Sequence, residues 1–126
     1  MPRPLQVEEP SGPRFDLALD QFEAGSSFVF LDCGLRVDDG ALQVLVPTQW
    51  EPHSITEARA LAELERAQRN IDQLESSSPR FAKIVGVIPR VFVLVYDYGM
   101  GGLWMCELRE GNFTWNDGYP HDAPAV

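Results

Sequence analysis

Metal binding, proton transfer and nucleophilic attack need particular side chains, and this sequence holds few of them. It has two histidines, His53 and His121, and two cysteines, Cys33 and Cys106. With Asp97, Asp117 and Asp122 these could ligate a cation, but they lack the paired ligand spacing of a structural metal site, so no metal is expected. The run Gly99-Met100-Gly101-Gly102 could offer backbone N–H groups to a phosphate. Phosphate loops open a helix and carry a lysine, whereas this one follows Asp97 and lies between strand-like runs. It reads as a wide hairpin turn. A catalytic site could be assembled only in space, from a loop histidine and distant Asp, Tyr or Cys side chains. We therefore assign no catalytic residue and no cofactor.

The cysteines fall inside predicted strands and are too few for a disulfide framework. Each reads as a small buried hydrophobe. The opening MPRPLQVEEPSGPR holds no apolar run that would act as a signal peptide, and no stretch reaches transmembrane length. The expectation is a cytoplasmic protein with reduced thiols.

The remaining chemistry is that of a binding surface. Trp50, Tyr98, Met100, Trp104, Trp115 and Tyr119 fall in or beside loops and short end strands, interleaved with Asp97, Glu107, Glu110 and Asp117. Trp and Tyr give large contact area at low entropic cost, and acids around them steer a basic partner toward them. The same rings could instead cover a small core, or Tyr96, Tyr98, Trp104 and Trp115 could line a ligand cavity.

Charge narrows the partners. The chain has 126 residues and a net charge of −9. Ten acids and three bases lie in residues 1–58, four acids and six bases in 59–90, and five acids and one base in 91–126. Phosphate backbones and anionic membranes would be repelled, so neither nucleic acid nor membrane is expected as a partner.

These residues must be positioned by one folded unit. The length suits a single domain, and an apolar fraction of 44% is enough for a core. Residues 1–14, with four prolines, read as an extended, poorly anchored arm, residues 15–119 as a single α+β domain, and residues 120–126 as a loose tail. Phe15–Phe22 fits a strand or a short helix, with an edge strand favoured. Phe28–Val37 and Ala41–Val46 flank Asp38-Asp39-Gly40 and predict a hairpin. Ser54 and Glu57 suggest a capping box opening a helix over about 54–76, with an apolar stripe of Ala58, Leu61, Ala62, Leu64, Ala67, Ile71 and Leu74. Phe81–Ile88 fits a strand best, with a short helix as the alternative, and Arg90–Tyr98, Leu103–Leu108 and Asn112–Trp115 read as further strands. The expected architecture is a curved antiparallel sheet of about five or six strands with one main amphipathic helix on one face.

No motif points to a family. By analogy of size and charge, the leading expectation is an immunity-protein or chaperone-like inhibitor or adaptor that binds a basic protein through its acidic, aromatic surface. The alternative is a small-ligand pocket protein or enzyme with His53 and Tyr96/Asp97/Tyr98 at the pocket, and a third reading is an acidic mimic of nucleic acid. An exposed edge strand could also pair two copies into a homodimer.

Overall fold

The computed structural model describes residues 3–97, 102–116 and 121–123, and these form an α+β fold with eight strands in one mixed sheet. The elements run β1 (Leu5–Val7), α1 (Pro13–Glu23), β2 (Phe28–Phe30), β3 (Cys33–Asp38), β4 (Ala41–Thr48), α2 (Glu57–Ser77), α3 (Pro79–Val85), β5 (Arg90–Asp97), β6 (Gly102–Arg109), β7 (Asn112–Trp115) and β8 (His121–Ala123). Strands β1 to β7 lie side by side in chain order, and β8 pairs with β6.

Two segments expected as strands are helices. In α1 the buried residues are Phe15, Ala18, Leu19 and Phe22, a helical i, i+3, i+4, i+7 stripe. Leu17, which a strand would bury beside Phe15 and Leu19, is 48% exposed. Pro13 suits the first helical turn, where its missing N–H costs nothing. In α3, Phe81 and Val85 are buried one turn apart, while Val87 on the same strand parity is 92% exposed. The Ser78 hydroxyl accepts the Phe81 N–H at 3.1 Å and caps α3, while the Ser78 N–H donates to Leu74 O and closes α2.

These helices decide the wiring of the sheet. A helix between two neighbouring strands returns the chain to the end where it began, so the strands run parallel. Thus β1 pairs β2 and β4 pairs β5 in parallel, whereas an all-antiparallel sheet was expected. The remaining pairs are antiparallel, and two-residue turns join β2 to β3, β3 to β4 and β6 to β7. Leu5–Val7, in the segment read as a poorly anchored arm, pairs with β2, and His121–Ala123, in the segment read as a loose tail, pairs with β6. Pro47 lies inside β4 rather than ending it, past the last residue paired with β3, where a missing N–H leaves no ladder bond unmade.

The long helix starts at Glu57. Ser54 belongs to the preceding turn, its N–H bonded to Glu51 O, and the cap is Thr56, whose hydroxyl accepts the Arg59 N–H at 3.2 Å. Ala60, Leu64, Ala67, Ile71 and Leu74 form its buried stripe, while Ala58 and Ala62 are exposed. All three helices share one core with Phe28, Leu35, Leu42, Val44, Val46, Phe92 and Leu94 of the sheet. On the other face, Ala41, Leu45, Val91 and Val93 form a smaller cluster with Val95 and Trp104, and no helix covers it among the described residues.

One turn carries strain. Leu31 joins β2 to β3 at φ 57 and is 42% exposed, held by its N–H bonding Val7 O at 2.8 Å. A left-handed conformation costs a residue with a Cβ about 1–2 kcal/mol, and asparagine tolerates it better. Leu31→Asn is therefore expected to stabilise the protein by about 1 kcal/mol, seen as a rise in urea midpoint. No change or a fall would show that the leucine contacts outweigh the strain.

Candidate functional site

The β6–β7 hairpin gathers four of the candidate residues. Its turn, Glu110 at φ 50 and Gly111 at φ 81, is the two-residue type whose twist matches the flanking strands. Strand alternation then sorts the side chains. Trp104 and Glu107 project to the face without helices, and Phe113 and Trp115 to the helix face at the sheet edge. The Phe113 and Trp115 rings meet edge to face, 5.1 Å apart at 90°, and Trp115 is 40% exposed. Trp104 packs on the small cluster around Val93, so it is partly core.

Glu107 is held in an unusual state. One of its carboxylate oxygens is buried and, among the described residues, accepts no hydrogen bond and has Arg109 as its ion-pair partner at 3.8 Å. A desolvated carboxylate oxygen without a donor is costly, and the charge of Arg109 offsets part of that cost. Beside the hairpin lies a groove of about 250 Å³, lined by Pro52, Ile55, Leu103, Trp104, Met105, Trp115 and Asn116. Sequence reading missed Phe113, Pro52 and Ile55 here. Only the alternation of β7 hinted at Phe113, and nothing local linked the residues before α2 to this edge.

The other candidates are distributed differently. Trp50, 38% exposed, lies in the connection after β4 with the Arg59 guanidinium stacked over its ring at 4.0 Å. Glu110 is exposed in the hairpin turn, and Asp97 ends β5 opposite Gly102. Tyr98, Met100, Asp117 and Tyr119 lie outside the described residues. His53 is exposed, 3.1 Å from the Glu51 carboxylate, and Tyr96 packs against the main core. No group of three His, Cys, Asp or Glu side chains that could hold a metal occurs among the described residues. No helix there is long and apolar enough to cross a membrane.

The excess of acids is unevenly neutralised because three arginines each engage two carboxylates. Arg80 holds Asp20 and Glu23, tying α3 to α1. Arg66 holds Asp32 and Glu63, tying α2 to the β2–β3 turn. Arg90 holds Asp72 and Glu75, tying β5 to α2. The bases of the middle segment thus neutralise acids on the helical side. Among the described residues of the β6–β7 hairpin, Glu107 and Glu110 face a single base, Arg109.

Both thiols are free and buried, on β3 and β6. Two strands separate them, a span of roughly 14 Å that no disulfide bridges. Burial pushes the Cys33 thiol up to about 12, with Asp32 adding to the effect, and burial alone pushes Cys106 up to about 12. Neither thiol should react with an aromatic disulfide reagent at pH 8 in the native protein, while both should react in denaturant. Because the folded values lie above the unfolded ones, the associated stability is complete below about pH 9 and declines toward pH 12, by up to about 1.4 kcal/mol per pH unit per thiol. Urea midpoints at rising pH check this slope, and a flat profile would contradict it.

No protein-family model, curated protein or solved structure matches the chain.

Proposed function

We propose that this chain is a protein-binding module that engages a basic partner through the acidic, aromatic edge of its sheet, built by β6 and β7. The observation that carries this reading is the exposed Trp115 ring on a hairpin that also carries Glu107 and Glu110, with Arg109 as its single base among the described residues. An exposed indole offers an anchor and the carboxylates offer steering and a charge-assisted bond. On the helical side Arg66, Arg80 and Arg90 are committed to internal bridges. His53 lines none of the four grooves that surround Val7, Trp115, Phe92 and Gln43. In this reading the protein works in the cytoplasm as an immunity-protein or chaperone-like inhibitor or adaptor.

Affinity purification of the tagged protein from its own host at low salt tests the proposal. Recovery of one stoichiometric basic protein, released as salt is raised, is the expected result. Repeated recovery of no partner, or of one whose binding ignores salt and Glu107→Gln, would overturn it.

A further inference from the structure

Resting on that reading, we propose that the partner docks as an extended basic segment added as a further strand to β7. The two ends of the sheet differ in how they are protected. Strand β1 has three residues and follows Pro4, and Arg14 Nε already donates to Gln6 O at 2.7 Å. Strand β7, Asn112-Phe113-Thr114-Trp115, has no proline, lysine or bulge, and among the described residues nothing pairs with its outer side. Proline, charge and short length are the usual means of blunting an edge, and β7 has none of the first two.

The register states which groups are offered. In a two-residue hairpin the closing pair, Arg109 and Asn112, exchanges hydrogen bonds, and bonded and non-bonded pairs then alternate. Glu107–Thr114 is a bonded pair, and the Asn116 N–H bonding Met105 O at 3.0 Å continues the alternation. The N–H and C=O groups of Phe113 and Trp115 therefore point outward. A strand laid there would place alternate side chains beside the Phe113 and Trp115 rings and the groove formed with Pro52 and Ile55, which suits apolar residues. Its other side chains would lie over Thr114. Glu107 is two strand spacings away, about 10 Å, a distance that a lysine and a glutamate span together across the short threonine. The fitting occupant alternates basic and apolar residues. A second copy of the chain is disfavoured, since each carries −9 and β7 against β7 would bring two Glu107–Glu110 hairpins together.

The test uses a short capped peptide alternating Lys and Val, its Glu–Val counterpart, and amide hydrogen exchange of the full chain. With the Lys–Val peptide at a hundred times its Kd, exchange at Phe113 and Trp115 should slow about a hundredfold, with Thr114 little changed. N-methylation of alternate peptide amides should abolish binding in one phase only. Binding without protection at Phe113 and Trp115 would overturn strand addition and leave the acidic, aromatic surface standing. Failure of the Lys–Val peptide to bind would likewise overturn strand addition, and equal binding of the Glu–Val peptide would overturn the basic selectivity of both proposals. Protection that rises with protein concentration alone would assign the edge to a second copy and overturn the proposal.

Discussion

Phe28→Ala is expected to remove about 3–5 kcal/mol of stability, the range for truncating a fully buried phenylalanine. Phe28 is completely buried on β2, between Leu5 of β1 and Leu35 of β3. Its ring meets Phe15 edge-on at 6.4 Å and Phe22 at 5.3 Å, and Phe22 in turn lies 6.0 Å from Phe81 of α3. One side chain thus holds α1 to the sheet and, through Phe22, α1 to α3. Against a typical total of about 5–15 kcal/mol, the loss would bring the protein close to unfolding at room temperature. The urea midpoint measures it, and a cost below about 1 kcal/mol would mean that this aromatic cluster is not the packed core described above.

Trp115→Ala is expected to weaken the complex with the basic partner by at least about 2 kcal/mol, or roughly 30-fold in Kd. The fold should survive, because Trp115 is 40% exposed at the sheet edge and its edge-to-face contact with Phe113 is worth about 1 kcal/mol. Trp104→Ala separates surface from core less cleanly, since that ring also packs with Leu45, Val91 and Val93. Leu17→Ala, exposed on α1 away from the hairpin, serves as the control and should leave affinity unchanged. Calorimetric titration of the purified partner decides the matter. Unaltered affinity for Trp115→Ala would remove the anchor from the proposed site.

The residues that act through neighbours in sequence were the legible ones. Asp39-Gly40 announced its hairpin because a two-residue turn needs positive φ at both positions, which Asp and Gly tolerate. The long apolar stripe from Leu64 to Leu74 announced α2, although its first turn was set by Thr56 rather than Ser54. Short segments were not legible, because over seven or eight residues the helical and strand periods share several apolar positions. Phe15 and Leu19 fit either, and only the partners Phe28 and Phe81 show that Phe22 belongs inside and Leu17 outside.

By itself, then, the sequence determined an α+β domain with a long amphipathic helix, a tight hairpin at Asp39-Gly40 and an acidic, aromatic C-terminal half. It also marked Trp50, Asp97, Tyr98, Met100, Trp104, Glu107, Glu110, Trp115, Asp117 and Tyr119 as the residues expected to face a partner. The tertiary structure alone decided the parallel pairs, which follow from where helices rather than turns join the strands. It also decided that Trp104 and Trp115 lie on opposite faces, and that three arginines neutralise the helical side while, among the described residues, Arg109 is the single base beside Glu107 and Glu110 in the hairpin. The physical reason is one of distance along the chain. Turn and helix preferences are fixed by residues a few positions apart, whereas strand order and charge pairing join residues tens of positions apart, such as Arg80 and Asp20.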